Sequence, residues 1–140
     1  MSRSSLAPGV LLDTCALIWL ASRAPMAPAA LEAILHAARQ DGVHVSPVSA
    51  WEIGLLNRRT PFRPDPATWF SAFMAAPGLL PAPLTAEIAI AASYLPEPLH
   101  RDLADRLLIT TARRLGLPLV TRDERILAYG QRGHVAVIPC

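Results

Sequence analysis

Five of the chain's eleven acidic residues fall where a carboxylate can do more than solvate a surface: Asp13, Glu52, Asp102, Asp105 and Asp123. Asp13 closes the apolar run Val-Leu-Leu-Asp, and Asp123 follows Leu-Pro-Leu-Val-Thr-Arg. Glu52 lies inside Val-Ser-Ala-Trp-Glu-Ile-Gly-Leu-Leu, and Asp102 and Asp105 share His-Arg-Asp-Leu-Ala-Asp-Arg-Leu. Gathered in one pocket, Asp13, Glu52, Asp105 and Asp123 would repel one another strongly at low dielectric. Such a pocket needs protons, arginines or a divalent cation. Hard oxygen ligands without a histidine cluster favour Mg²⁺ or Mn²⁺ over zinc. A carboxylate-held cation beside arginines suits cleavage of a phosphodiester, because the ion activates water and stabilises charge on the phosphate oxygens. No serine or cysteine has an evident base partner for nucleophilic catalysis.

The acids act together only if the fold gathers them. Residues 9–13 form a short apolar run ending in an acid, the pattern of a strand buried on both faces. Residues 43–46, 117–121 and 134–139 read as further strands. Residues 79–85 read as a third strand or an extended link, at an edge because of their two prolines. Helices are expected over 14–22, 27–42, 47–59, 85–96 and 102–116, with a proline-rich loop and short helix over 60–78 and a helical turn over 123–130. Apolar Val48, Trp51, Leu55 and Leu56 mark the third of these helices. Leu103, Leu107, Leu108, Thr111 and Leu115 mark one side of the 102–116 helix, which Gly116 ends. Strands alternating with helices imply a single α/β domain over 1–140, with three α/β/α layers around a central parallel sheet. Ligands in such sheets bind at the carboxyl ends of the strands, where Asp13 and Asp123 fall.

Each acid has a plainer reading. Asp13 can cap a turn, Glu52 can be an exposed helix acid, and Asp123 can start the segment after it. Asp102 suits the N-cap of its helix, with Asp105 at the third helical position, where an acid favours the dipole. Asp102 is read as that cap or a further site residue, the cap being preferred. The set and its order carry the functional case. His36, His44, His100 and His134 share no ligand spacing and read as structural or surface residues. Trp19, Trp51 and Trp69 read as core or interface residues, and Cys15 as a buried thiol. Arg113 and Arg114 suit the C-terminal end of a helix dipole.

The chain is 52% hydrophobic and 17% charged, which excludes disorder and leaves room for a buried interface with a partner. Its net charge of +2 does not by itself imply nucleic-acid binding. All 13 basic residues are arginine, which excludes a P-loop, Schiff-base or kinase-type lysine. Arginine suits bidentate phosphate contacts, although codon bias produces the same composition. Residues 1–22 loosely resemble a signal peptide, but Asp13 is costly in a membrane and the apolar run is too short to span one. The segment is therefore read as folded protein and the chain as cytoplasmic.

The order of these segments resembles a PIN-domain ribonuclease of the VapC toxin type, the toxin of a type II toxin–antitoxin pair. The resembling stretches are "VLLDTCALIWL", "VSPVSAWEIGLL", "HRDLADRLLITTARRLGLPLVTRDERILAYG" and the terminal "VAVIP". The resemblance implies Mg²⁺-dependent endoribonuclease activity (Mn²⁺ substituting), and its acidic quartet falls on Asp13, Glu52, Asp105 and Asp123. It implies that Asp13 and Asp105 bind the principal metal, that Asp123 completes the site or holds a second ion, and that Glu52 orients or deprotonates the attacking water. Thr14 and Thr121 are expected to supply hydroxyls behind the acids. Arg106 or Arg122 is expected to contact phosphate or pair with the acids. The implied partners are an RNA substrate, a second copy in a homodimer and a cognate antitoxin, which covers the site and connects the complex to DNA; no membrane is implied. Cys15 stands where many relatives have histidine, and Leu103 where many have proline.

Two rival functions remain at this stage. An aspartyl-phosphate phosphatase also ends its first strand on an aspartate, but usually has a second aspartate two positions on, where this chain has Cys15, and uses a lysine. A non-catalytic PIN-fold interaction module would have no use for the acidic quartet.

Overall fold

The structure, a computed structural model, describes residues 9–61 and 64–140. Residues 1–8 of the expected folded N-terminal segment lie outside it, as do Phe62 and Arg63 of the expected proline-rich loop. The elements run β1 (Val10–Leu12), α1 (Thr14–Ser22), α2 (Pro28–Arg39), β2 (Val43–Val45), α3 (Pro47–Arg59) and α4 (Pro66–Met74). They continue with β3 (Leu79–Pro81), α5 (Ala86–Ala92), α6 (Leu103–Leu115), β4 (Leu119–Thr121), α7 (Glu124–Gln131) and β5 (Val137–Pro139). The five strands form one sheet in the order β3-β2-β1-β4-β5, and every pairing is parallel. Pro81 lies in β3 at the sheet edge, the position its missing N–H favours.

Alternation along the central strands buries both faces of the sheet. Leu11 and Leu119 enter one apolar cluster with Leu108, Ile109, Ile126 and Tyr129. Val10, Leu12 and Val120 enter the other with Leu17, Ile34 and Val45. Helices therefore cover both sides, giving the three-layer α/β/α architecture. Burying side chains such as Leu11 and Leu12, both 0% exposed, contributes about 1.5–3 kcal/mol each.

Two helices turn differently from the expected phase. In α6 the buried residues are Ala104 and Leu108 to Ala112, while Leu103 and Leu115 at the two ends are exposed. In α3 Val48, Ser49 and Ile53 are buried; Trp51, Leu55 and Leu56 are exposed. The apolar spacing of α3 thus described two faces, and only one meets the sheet. α6 ends as expected at Gly116, whose φ of 68° closes the helix in the left-handed region that favours glycine. Helix α5 ends at Ala92, short of the expected boundary before Pro96, and residues 124–131 form a true helix. Among the described residues, no helix is long and apolar enough to cross a membrane.

Candidate functional site

The site begins at the centre of the sheet. The chain moves outward from β1 through β2 to β3, then returns to lay β4 on the other side of β1. The carboxyl ends of β1 and β4 therefore flank the point where the winding reverses, the usual ligand crevice of an open α/β sheet. Asp13 follows β1 directly, and Thr121 and Asp123 lie at the end of β4.

Capping and site geometry are not alternatives here. Asp13 is the N-cap of α1, with Oδ1 accepting the Ala16 N–H at 2.7 Å. Its Oδ2 accepts the Thr121 hydroxyl, which in turn accepts the Asp123 N–H at 3.1 Å. One buried hydroxyl thus ties the ends of two adjacent strands together. Asp123 caps α7, with Oδ1 accepting the N–H groups of Arg125 at 2.8 Å and Ile126 at 3.2 Å. Asp102 caps α6 through the Asp105 N–H at 2.9 Å, the bond that sets where Asp105 emerges from the first turn. The Thr14 hydroxyl donates to Glu52 Oε1, and its oxygen lies 2.9 Å from Ser49 Oγ. Glu52 is therefore half-buried and turned toward α1.

The carboxylates feel one another. Burial pushes Asp13, only 5% exposed, above the usual carboxylate range, and the charges of Asp105 and Asp123 push it further. The bonds from Thr121 and Ala16 oppose this only in part. Glu52 is raised by burial and by Asp105, Asp102 and Asp13, against the Thr14 bond. Asp105 is raised by burial, and by Asp102 and Asp123, against the His100 contact. Burial also works on Asp123, but its hydrogen bonds with Arg125 and Ile126 hold it below the usual value.

The quartet rings one end of the sheet without closing on a point. Among the described residues, no three His, Cys, Asp or Glu side chains are gathered as ligands of one ion. The donor chemistry nevertheless fits a hard divalent cation: four carboxylates around one crevice, three of them raised by burial and mutual repulsion.

Three neighbours were not assigned here from sequence. His100 Nε2 lies 2.7 Å from Asp105 Oδ2, and its Nδ1 is buried with no hydrogen-bond partner. Ser49 is fully buried against Thr14. A guanidinium nitrogen of Arg125 lies 3.2 Å from Asp123 Oδ2 and 3.7 Å from Asp105 Oδ2. His100 and Arg125 lie outside the apolar patterns that marked the elements, so only the proximity of Asp105 and Asp123 in sequence pointed to them.

Three expectations are corrected or narrowed. Arg106 spends its donors on Ala92 O, His100 O and Glu97. Arg122 lies 3.1 Å over the Trp19 ring and donates to Cys140 O. Among the described ion pairs, neither is bonded to the quartet. Cys15 is exposed, because the buried side of α1 is made by Thr14, Ala16 and Leu17. Trp51 is 57% exposed, which excludes the core and leaves the interface of its two expected placements. Ile18, Ile53, Leu56 and Trp69 line an open, mainly apolar groove of about 660 Å³ between α1, α3 and α4, with none of the quartet in its lining.

Comparison with known proteins agrees with this architecture. No curated protein matches the sequence. Three of the solved structures similar to the chain follow. The VapBC2 complex of Rickettsia felis, bound to a promoter DNA fragment, has a TM-score of 0.71 at 12% identity, over 93% of this chain and 97% of that one. A toxin–antitoxin complex from Klebsiella pneumoniae has 0.61 at 21%, over 93% and 96%. Mycobacterium tuberculosis VapC20, a toxin that cleaves the sarcin–ricin loop, has 0.61 at 20%, over 87% and 95%. At these identities the likeness concerns the fold. The family model described as PIN domain matches residues 10–131, nearly the whole chain, and the chain belongs to the PIN domain family.

Proposed function

We propose that the chain is a cytoplasmic, Mg²⁺-dependent endoribonuclease, the toxin of a toxin–antitoxin pair. The observation that carries this reading is Asp13: a buried carboxylate at the switch point of the sheet, pushed upward by burial and by the charges of Asp105 and Asp123. Such repulsion is relieved by a proton, an arginine or a divalent cation, and a set of hard carboxylate oxygens at a ligand crevice suits the cation. The similar structures support the toxin reading: VapC20 is a sarcin–ricin loop cleaving toxin, and the Klebsiella pneumoniae structure is a toxin–antitoxin complex.

In this reading Asp13 and Asp105 hold the principal cation, and Asp123 completes the site. When bound, the cation lowers the pKa of water and stabilises charge developing on the phosphodiester. Asp13 stays in place through its cap on α1 and the Thr121 hydroxyl. Asp105 is oriented by His100, which occupies Oδ2; among the described residues no protein donor is on Oδ1. Glu52 orients and deprotonates the attacking water. Thr14 holds its Oε1, so Oε2 receives the proton, and the upward shift from burial makes Glu52 a better base than an exposed glutamate. Partners are an RNA substrate, a second copy in a homodimer, and an antitoxin that covers the site and carries the DNA contacts. The groove between α1, α3 and α4, lined by Ile53 and Leu56 of the helix that carries Glu52, offers the antitoxin an apolar seat.

The experiment is RNA cleavage in Mg²⁺ by wild type, Asp13→Asn and Asp105→Asn. Both variants are expected to lose at least about a hundredfold in rate, in line with the weight of a metal's charge stabilisation. Cleavage by both at the wild-type rate would make the assignment wrong. A phosphoenzyme trapped at Asp13 would instead support the phosphatase.

A further inference from the structure

We propose that Arg125 is the resident cation of the acidic site, and that a divalent ion must displace it to bind. This rests on the metal-site reading above. The geometry is specific. One Arg125 nitrogen stands between Asp123 Oδ2 (3.2 Å) and Asp105 Oδ2 (3.7 Å), two of the carboxylates assigned to the metal. Asp123 also accepts the Arg125 Nε–H at 3.5 Å and its backbone N–H at 2.8 Å. The other arginines beside the site are committed elsewhere, Arg106 to Glu97 and backbone carbonyls, Arg122 to Trp19 and the Cys140 carbonyl. Arg125 alone of these three takes the acids themselves as partners.

Position explains how it can leave. Arg125 is the second residue of α7, so its backbone is fixed by the Asp123 cap whether or not its side chain stays. The side chain is 59% exposed and can swing into solvent without opening the core. Asp13 is out of its reach in this arrangement and remains uncompensated by it. Arg125 thus screens the outer half of the quartet and leaves the inner half charged. A guanidinium and a divalent ion compete at this end of the site: both are cations, and at Asp123 Arg125 already occupies the oxygen atoms an ion would take, while at Asp105 it adds positive charge 3.7 Å from Oδ2. The exchange makes metal affinity a difference between two cations rather than the full attraction of four carboxylates.

The test is Mn²⁺ titration followed by electron paramagnetic resonance, without RNA, on wild type, Arg125→Gln, Arg125→Lys and Asp105→Asn. Arg125→Gln is expected to bind Mn²⁺ about three- to tenfold more tightly, the scale of a partly exposed ion pair removed from the competition. Arg125→Lys keeps the charge and is expected to stay near wild type. Thermal melts in EDTA check that Arg125→Gln folds, and the Asp123 backbone cap should keep its melting temperature close to wild type. Unchanged or weaker Mn²⁺ binding in Arg125→Gln, with Asp105→Asn weakened, overturns the exchange and leaves the metal site standing. Failure of both wild type and Arg125→Gln to bind Mn²⁺, or binding in Asp105→Asn equal to wild type, overturns the metal site and the exchange with it.

Discussion

Replacing Asp13 separates what its carboxylate does for folding from what its charge costs. The side chain makes two bonds, one from the Ala16 N–H and one from the Thr121 hydroxyl. Asparagine keeps an oxygen for the cap, and its amide can donate to the Thr121 oxygen, which has a second lone pair. Alanine loses both. The lost cap costs about 1 kcal/mol, and the lost bond to the Thr121 oxygen about 0.5–1.5 kcal/mol. Both variants remove the buried charge and leave the Thr121 hydroxyl hydrogen without its carboxylate acceptor, so those effects cancel between them. Asp13→Ala should therefore be about 1.5–2.5 kcal/mol less stable than Asp13→Asn, about 5–10 °C in melting temperature for a chain of this length. Thermal melts by circular dichroism in EDTA at neutral pH measure the difference. Equal melting temperatures would refute the two-bond account. The charge itself shows in the pH dependence. The folded pKa of Asp13 is raised above 3.8, so the folded chain takes up this proton before the unfolded chain does. Wild type should gain stability as pH falls from neutral through that raised value, and the gain should be complete near the unfolded pKa. Asp13→Asn should show a smaller gain, Glu52 and Asp105 supplying the remainder because they too are raised. An identical pH slope in the two proteins would mean that Asp13 carries no desolvation penalty.

Other outcomes follow from the same geometry. Asp102→Asn should retain most RNA cleavage, since asparagine also caps α6, whereas Asp105→Asn should lose most of it; equal losses would show that the cap and site roles were divided wrongly. His100→Ala should weaken Mn²⁺ binding about tenfold or more by releasing Asp105 Oδ2, and His100→Gln should recover part of it; calorimetry in which alanine binds like wild type would remove His100 from the site. Tyr129→Phe should cost about 1 kcal/mol in urea unfolding through the lost bond to Pro96 O at 2.7 Å and leave cleavage intact; loss of cleavage in a folded variant would count against a purely structural Tyr129.

Sequence made the strand ends legible because a buried parallel strand is a short apolar run, and an acid immediately after it has few places to go but the crevice. Asp13 and Asp123 were found that way. The division between cap and site was harder to read, because both residues cap a helix and also face the crevice, and local pattern reports only the cap. In α3 the pattern misled: Trp51 and Leu55 have helical spacing, but the face they make does not meet the sheet, and Val48, Ser49 and Ile53 do. His100 and Arg125 carry no periodic signal. Their roles depend on where a loop and a first helical turn lie in space, which one-dimensional spacing does not encode.

The exposed thiol of Cys15 gives this site its own reporter. Burial at its base and the negative charges of Asp13 and Asp123 push the Cys15 thiol up, while Arg122 draws it down. Cys140 is buried and pushed up to about 11 by that burial, so it reacts far more slowly. A thiol reagent therefore reads mainly one position, next to the N-cap of α1. A cation entering among the acids would offset the charges that suppress the thiolate, and labelling would accelerate. A protein laid over the same end of the sheet would shield the sulfur, and labelling would slow. Opposite signs in one rate distinguish ion from partner without adding a single residue to the chain.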